Sequence, residues 1–337
     1  MATLYLVQQG TTLRKDHGRF LIQQREPTPA VQALEVPIRE VEQILVFGNI
    51  QLTTAAIASC LEAQVPVLFL SQTGAYKGHL WSAEQGSLAA EFAQFSRYSD
   101  SSFQLETARA LVLGKLSNSR QLLLRLNRKR NLDTVATAIA GIAQDLRSAA
   151  QIDNLESLRG YEGVAAARYF PAFGQLLLDP VWQFTQRHRR PPTDPVNAML
   201  SFGYTLLFNN VLSLLLAEGL HPYLGNLHRS DRKEPQLAFD LMEEFRSLIV
   251  DTLVIVLANR QIIKPDEFTN ATNGGVYLTD VARRRFLSHF EQRLSATIAH
   301  PDVQESVTYR RAMQLQIRRY KQSLLQAVPY LPFLRAV

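Results

Sequence analysis

The pattern of apolar and polar positions changes about a quarter of the way along the chain. Up to about residue 85, short apolar runs alternate with turns, and glycine stands near most breaks, as is typical of β-strands. The runs are TLYLV, RFLIQQ, ALEVPI, QILVFGNIQL and VPVLFL. Residues 53–64 have helical spacing instead. We therefore predict a small β-rich unit of hairpins, packed in the manner of a sandwich.

From about residue 91 the apolar positions recur with the period of amphipathic helices, and prolines such as Pro171 fall where helices should end. The predicted helices cover residues 105–129, 132–150, 154–170, 196–218, 239–259, 279–298 and 306–325. The predicted fold class is α+β with two domains. They are an N-terminal β-sandwich-like domain in residues 1–85 and a larger C-terminal all-α domain in residues 96–337, joined by a linker at 86–95.

Residues 196–220 form the most apolar segment and are long enough to cross a bilayer. Six polar residues interrupt it, so we expect a buried core helix and no membrane association. The first residues, MATLYLVQQG, lack the basic segment of a signal peptide. Cys60 is the single cysteine, which excludes an internal disulfide and a multi-cysteine zinc site. We expect a cytoplasmic protein.

The positive charge lies in the helical part. The chain has a net charge of +6, and residues 1–90 hold 6 Lys and Arg against 7 Asp and Glu. Such an excess attracts polyanions, nucleic acid first among them. Solvated helix faces explain many arginine runs equally well. The candidate nucleic-acid-binding residues are Arg187, Arg189, Arg190, Arg283, Arg284, Arg310 and Arg311.

Glu162 is a carboxylate on an apolar helix face. In NLESLRGYEGVAAARYF, about 100° of rotation per residue places it between Leu158 and Tyr169. An ionised carboxylate there needs a cation or strong hydrogen-bond donors. A metal or catalytic role meets that need, and so does an ion pair with Arg159 or Arg168.

The segment GLHPYLGNLHRSDRKEPQLAFDLMEEFR supplies further candidates. Asp240 and Glu243 lie three positions apart on a predicted helix, where two like charges are unfavourable unless a cation lies between them. Together with Glu244, Ser247 and Asp251, the same acids also fit the solvated face of an amphipathic helix. His228, in a loop upstream, is either a ligand or an exposed histidine. One imidazole with two or three carboxylates is a hard ligand set, which suits magnesium or manganese (Mg2+ or Mn2+) acting on phosphodiesters.

At this point the residues resemble a known family, the CRISPR-associated integrase, which is the metal-dependent endonuclease subunit of the spacer-acquisition complex. The similarity covers nearly the whole chain. It lies in the segments ILVFGNIQLTTAAI, VPVLFLSQTGAYKGHL, ARALVLGKLSNSRQLLLR, LRGYEGVAAARYF, DPVNAMLSFGYTLL, GLHPYLGNLH, LAFDLMEEFR and GGVYLT. Each segment is moderately specific, and their common order and spacing are highly specific.

The resemblance implies a β-domain that forms a homodimer and a helical domain that carries the active site. It implies Glu162, His228 and Glu243 as ligands of Mg2+ or Mn2+, with Asp240 as the neighbouring catalytic acid. The implied partners are double-stranded DNA, a second copy of the chain and the small subunit called CRISPR-associated protein two.

Three positions near these residues depart from the family pattern. His221 stands where the family has Asp, Asn226 stands where an aromatic residue is usual, and Glu244 stands where proline is frequent. None of the three removes a metal ligand, although Asn226 is expected to alter the pocket beside His228.

The leading hypothesis is a metal-dependent DNA endonuclease and strand transferase, which joins 3′-hydroxyl ends of short foreign DNA fragments into a CRISPR array. Two alternatives stay open at this stage. A non-catalytic basic nucleic-acid-binding scaffold would retain DNA without forming a manganese-dependent product. A small-substrate metallohydrolase would bind DNA with little salt dependence.

Overall fold

Two four-stranded sheets dominate the N-terminal part of the chain in the computed structural model, which describes residues 2–24, 33–80, 87–228 and 234–335. The strands are β1 Ala2–Leu6, β2 Thr11–Asp16, β3 Arg19–Gln24, β4 Leu34–Pro37, β5 Val41–Phe47, β6 Gln51–Leu52, β7 Val67–Leu70 and β8 Tyr76–His79, and helix α1 is Thr54–Glu62. Helix α1 agrees with the predicted helix at 53–64. Its first turn is capped by Thr53, whose hydroxyl accepts from the Ala56 N–H.

The two sheets enclose one core. Their strand orders are β1-β5-β7-β8 and β4-β3-β2-β6. Alternate strand residues point inward and meet side chains of α1. The core residues include Leu4, Ile44, Val46 and Val67 from the first sheet, Leu13 and Phe20 from the second, and Ala56 and Cys60 from α1. The arrangement is sandwich-like in this respect.

The prediction that this part consists of hairpins is only partly right. β2 and β3 form a hairpin, but β1 and β5 pair in parallel, as do β5 and β7. A parallel pair needs a crossover connection. Between β5 and β7 the chain passes through β6 and α1, which provides that connection.

The remainder is mainly helical. The helices are α2 Leu88–Tyr98, α3 Ser101–Asn127, α4 Asp133–Ala149, α5 Leu155–Gly174, α6 Pro195–Ala217, α7 Gln236–Met242, α8 Thr252–Asn259, α9 Asp280–Ser295 and α10 Tyr309–Gln326. Asp100 and Asn154 cap α3 and α5 by accepting backbone N–H groups of the first turn. Helices α3, α4 and α5 pack against one another. The mixed α+β class, with a strand-rich N-terminal region and a helical C-terminal part, is thus confirmed.

The chain divides into two units, Met1–Glu91 with Leu212–His221, and Phe92–Val211 with Pro222–Val337. The predicted linker at 86–95 is helical from Leu88 onward, because LAAEFAQF combines good helix formers with apolar residues three and four apart. The prediction of an all-α domain was also too strict. Two short antiparallel pairs lie between helices: β9 Phe268–Asn270 with β10 Val276–Leu278, and β11 Thr297–Ile298 with β12 Val307–Thr308.

Helix α5 continues past Pro171, where we expected it to end. Proline removes one backbone donor and normally stops a helix. Here Ala172 and Phe173 are buried, at 4% and 0% exposure, and their packing holds one further turn. Helix α6 passes the length and hydropathy test for a membrane span, but 67% of that window is buried inside the protein. Such burial is typical of a core helix, as predicted for this segment.

Candidate active site

The acids of the segment 236–259 are buried, which corrects the expectation that they line a solvated face. Asp240, Glu243, Glu244 and Asp251 are at most 2% exposed. The segment is also not one regular helix. A 3₁₀ turn, Glu243–Phe245, and a π-helix, Ser247–Asp251, separate α7 from α8. A spacing of 100° per residue assumes an unbroken α-helix and therefore misplaces these side chains.

Glu162 and Glu243 converge on one ammonium group. Lys115 Nζ lies 2.7 Å from Glu243 Oε2 and also pairs with Glu162 Oε1. The three side chains are 13%, 18% and 1% exposed for Lys115, Glu162 and Glu243. Helices α3 and α5 and the turn after α7 thus bring two distant acids together. The alternative interpretation, an ion pair of Glu162 with Arg159 or Arg168, is wrong.

The two arginines of that alternative have other contacts. Arg168 pairs with Asp145 of α4, with 3.1 Å between Nε and Oδ2. Arg159 Nε donates to the Leu227 carbonyl at 2.7 Å, which fixes the backbone beside His228. Arg159 therefore contributes to the site through a loop rather than through an ion pair.

Glu243 is more deeply buried than Glu162. Arg246 lies one turn later, with its Nη1 3.0 Å from Glu243 Oε1. Both oxygens of Glu243 are buried and lie at ion-pair distance, one from Lys115 and the other from Arg246. Neither oxygen accepts a well-aligned hydrogen bond from the residues that the structure describes. Lone pairs left in this way are what a cation could use. The guanidinium of Arg246 in turn lies over the ring of Tyr204, 4.9 Å from its centroid.

Asp240 holds His228 in place. Asp240 is 0% exposed, and its carboxylate accepts from the backbone N–H groups of Asn226, Leu227 and His228 at 2.6, 2.9 and 2.9 Å. His228 Nδ1 lies 2.7 Å from Asp240 Oδ1. Because Nδ1 is engaged by Asp240, Nε2 is the ring nitrogen that can bind another group. The buried Asn226 amide also donates to Tyr320 Oη at 3.1 Å, so the polar residue at 226 has a structural partner.

Gly225 makes this loop geometry possible. A Cβ atom at Gly225 would lie 2.6 Å from Gln236 Cβ and 3.1 Å from Asp240 Oδ2. Only glycine lets the backbone come this close to the carboxylate. The charged residues that follow His228, 229–233, lie outside the described residues.

The electrostatics follow from burial and pairing. Burial would raise the pKa of Glu243, but Arg246, Lys115 and His228 outweigh it and lower that pKa to about 2. The pKa of Glu162 is likewise lowered, because Lys115 outweighs the cost of burial. Burial disfavours protonated His228, but Asp240 and Glu243 outweigh it and raise its pKa. The two glutamates are therefore ionised at neutral pH.

A second buried acid joins three helical segments. Asp251, the last residue of the π-helix, accepts from Tyr169 Oη of α5 and Tyr204 Oη of α6, each at 2.6 Å. Burial raises its pKa to about 6. Asp251 lines a pocket that is partly open to solvent and also reaches Lys115 and Glu162. The remaining wall includes apolar residues of α3, α4 and α5, together with Arg189.

The residues present suit a hard divalent cation by their chemistry. They comprise one imidazole and two ionised carboxylates, and both Glu243 oxygens lack directed donors. Among the residues that the structure describes, no three His, Cys, Asp or Glu side chains form a closed ligand group. Lys115 lies between Glu162 and Glu243 and supplies the positive charge there.

The candidate DNA-binding arginines have different surroundings. Arg187 is mainly structural, since it donates to Asn197 Oδ1 at 2.7 Å and Ser201 Oγ at 2.9 Å. Others are engaged by acids or amides: Arg283 with Asp280, Arg310 with Glu291 and Arg311 with Gln314. Three are exposed and have no ion pair within the described parts of the chain: Arg189, Arg190 and Arg284.

Lys115, Arg246 and Asp251 were missed by the sequence reasoning. Lys115 lies on a predicted helix rich in basic residues and could not be told from a solvated lysine. Arg246 follows Glu243 by three positions, which is a detectable spacing for an intrahelical ion pair. Asp251 was assigned to the solvated face. Its tyrosine partners lie 82 and 47 positions away, beyond the reach of local pattern.

These features define a class, an α+β protein whose helical part holds a centre of buried acids beside one histidine. The sequence model of the family described as "CRISPR associated protein Cas1" matches residues 4–292. "CRISPR-associated endonuclease Cas1 1" of Thermus thermophilus is 37% identical over 335 residues, which are 98% of each chain. The chain therefore belongs to the Cas1 family, as the sequence analysis predicted.

A second relative is a longer protein. The "CRISPR-associated exonuclease Cas4/endonuclease Cas1 fusion" of Geobacter sulfurreducens is 35% identical over 336 residues. The match covers 98% of this chain but spans only 59% of the fusion.

Solved structures agree on the fold. A casposase bound to an integration product superposes with a TM-score of 0.85 at 24% identity, covering 98% of this chain and 93% of the casposase. A chain of a Cas6-RT-Cas1–Cas2 complex superposes with a TM-score of 0.82 at 23% identity, covering 100% of this chain and 36% of that one.

Proposed function

We propose that this chain is the endonuclease and strand transferase of CRISPR spacer acquisition, which joins the 3′-hydroxyl ends of short DNA fragments to a CRISPR array by transesterification. The observation that carries the proposal is the convergence of Glu162 and Glu243 on one point of the helical unit. The relatives that match over their whole length are named endonucleases. The non-catalytic scaffold and the small-substrate hydrolase are therefore not favoured.

In this proposal Glu162, His228 and Glu243 hold Mg2+ or Mn2+. When bound, such an ion polarises a scissile phosphodiester and stabilises the negative charge that develops on its oxygens. The low pKa of Glu243 and of Glu162 keeps both carboxylates ready to bind a cation at neutral pH.

The other residues act on these ligands and on the substrate. Asp240 is a positioning residue, since its four accepted contacts use both oxygens and leave none for a nucleophile. It orients the imidazole of His228. Arg246 balances the charge of Glu243, and Arg189 at the pocket wall is placed to contact a substrate phosphate.

In strand transfer the 3′-hydroxyl of the fragment forms a new bond to phosphorus, and the bond to the 3′-oxygen of the target strand breaks. The attacking hydroxyl loses its proton and the departing oxygen gains one. Because one phosphodiester bond replaces another, the reaction needs no external energy source. Water in place of the 3′-hydroxyl gives cleavage.

The proposed partners are double-stranded DNA, a second copy of the chain through the strand-rich unit, and the Cas2 subunit, in the cytoplasm. The casposase neighbour is described as bound to an integration product, and another neighbour belongs to a complex with Cas2. The positive charge of the helical part supports the DNA partner.

The test compares two ligand variants with exposed counterparts. Glu162→Ala and His228→Ala should lower strand transfer and cleavage by about a hundredfold or more, because each removes a ligand of the charge-stabilising ion. Product from a fluorescent 3′-hydroxyl fragment and a repeat-containing duplex is measured in Mn2+. Glu156→Ala, an exposed acid of α5, and His17→Ala, 98% exposed, are the controls and should remain active. Full activity of either folded ligand variant contradicts the proposal.

A further inference from the structure

The chain after α10 is irregular but firmly packed. Residues 328–335, which we call the C-terminal strap, form neither helix nor strand. Ala327 ends α10 in the left-handed conformation, with φ of 54°, and turns the chain back across the helical unit. Tyr330 and Phe333 are 5% and 0% exposed, whereas Leu331 and Leu334 are 60% and 49% exposed. Two side chains thus anchor the strap.

Both anchors meet the carboxylate of Glu244, the residue that follows Glu243. Tyr330 Oη donates to Glu244 Oε1 at 2.8 Å, and the Phe333 backbone N–H donates to Oε2 at 2.8 Å. Gln316 of α10 donates to the same Oε2 at 3.1 Å. Glu244 is 0% exposed, and these donors offset part, but not all, of the cost of its burial.

Helix α3 completes the cluster from the other side. Asn118 Nδ2 donates to the carbonyls of Glu244 at 2.9 Å and Phe333 at 2.8 Å, while its Oδ1 accepts from the Arg335 N–H at 3.0 Å. One turn earlier, a Cβ at Gly114 would lie 2.8 Å from Pro332 Cβ and 3.1 Å from Glu244 Cγ. Glycine at 114 therefore lets the strap and Glu244 approach α3 next to Lys115.

The clamped element is the turn that carries Glu243. The 3₁₀ turn Glu243–Phe245 and the π-helix after it interrupt the regular α-helical hydrogen bonds. Phe245 stacks on Phe333, with centroids 5.1 Å apart and an angle of 15° between the rings. The strap thus contacts both residues that follow Glu243, and contacts from outside the segment are needed to fix an irregular turn.

We propose that Glu244 is a positioning residue that uses the C-terminal strap to hold Glu243 in register with Lys115 and Glu162. The inference rests on the proposed function, because the position of Glu243 matters only if Glu243 binds the ion. Weakening these contacts should reduce Mn2+ affinity and kcat. DNA affinity should stay unchanged, since the strap contacts Glu244 and Phe245 and none of the arginines proposed to bind DNA.

The experiment uses the full chain. Glu244→Ala removes all three accepted hydrogen bonds, and Gly114→Ala pushes a methyl group against the strap and the Glu244 side chain. Each should lower Mn2+ affinity and kcat by about tenfold or more, which is the usual effect of removing a residue that orients a metal ligand. Glu244→Gln keeps the shape and one carbonyl acceptor, so it should restore most of both. Mn2+ affinity is measured by calorimetry, DNA affinity by fluorescence anisotropy and kcat with KM by strand transfer.

Two controls separate positioning from general destabilisation. Leu331→Ala changes an exposed strap residue and should behave as the wild type. Leu45→Ala opens a cavity in the strand-rich unit and should lower Tm without changing Mn2+ affinity. If Glu244→Ala does not fold, Tyr330→Phe removes a single donor and carries the same expectation with a smaller effect.

The inference is overturned if the wild type is active and folded Glu244→Ala has the same Mn2+ affinity and kcat as the wild type. If Glu244→Ala does not fold, the same result in both single variants, Tyr330→Phe and Gly114→Ala, overturns it. An inactive wild type that binds no Mn2+ would instead refute the proposed function.

Discussion

Lys115 is the residue on which the charge balance of the site depends. It contacts both Glu162 and Glu243, and it is only 13% exposed. Two ionised carboxylates at close range repel each other unless a cation lies between them. Lys115 supplies that cation within the chain, so it stabilises the site without an ion and competes with an ion for the same oxygens.

Lys115→Met should therefore lower the unfolding free energy of the metal-free protein by about 3 kcal/mol, because it leaves Glu162 without its counter-charge and Glu243 with Arg246 alone. Mn2+ should raise the Tm of this variant more than that of the wild type, since the ion replaces the missing charge. Thermal unfolding with and without Mn2+ measures both effects. Lys77→Met, at an exposed position of β8, is the control. Equal Tm increases in the variant and the wild type would show that Lys115 does not share the ion's position.

At the scale of elements, Asp251 connects α5, α6 and the π-helix. Two tyrosines donate to its two oxygens at 2.6 Å, and neither tyrosine is on the same element as the other. Asp251 is only 2% exposed because α5 and α6 both pack against this side of the segment, which a sequence pattern cannot show. The same segment places Glu243 and Glu244 in different clusters.

The buried Asp251 should make stability depend on pH. Burial raises its pKa in the folded state from the ordinary 3.8 to about 6, so folding favours the protonated form. Its contribution is fully present below about pH 4 and is lost as the pH rises through 6, a loss of roughly 3 kcal/mol. Urea unfolding between pH 4 and 7 should show this decline in the wild type relative to Asp251→Asn. Parallel curves for the two proteins would contradict the assignment, and Glu156→Gln should follow the wild type.

At the scale of the whole molecule, the positive charge lies in residues 91–337, with 30 Lys and Arg against 23 Asp and Glu. Several of these arginines are consumed by internal contacts, such as Arg187 and Arg310. Among the candidate arginines, Arg189, Arg190 and Arg284 are exposed and have no ion pair within the described ranges. These three are therefore available to contact phosphate groups.

Arg189→Gln, Arg190→Gln and Arg284→Gln should each weaken binding of duplex DNA and reduce the slope of log Kd against log salt concentration by up to about 0.9, the value for one lost phosphate contact. Fluorescence anisotropy between about 50 and 200 mM salt measures the slope. Arg14→Gln, an exposed change of the same charge in β2, is the control and should leave the slope unchanged. An unchanged slope in all three variants would place the DNA surface elsewhere.

Sequence pattern alone determined the α+β class, the family and the short list of Glu162, His228, Asp240 and Glu243, because period and motif order are local properties. It could not determine which groups these residues meet. Tertiary structure decided that Lys115 joins two acids, that Asp240 serves His228 and that Glu244 receives the C-terminal strap. Such contacts link residues 86 to 126 positions apart in the case of Glu244, and only the packed chain brings them together. Burial then makes each polar group take a partner, which no spacing along a helix specifies.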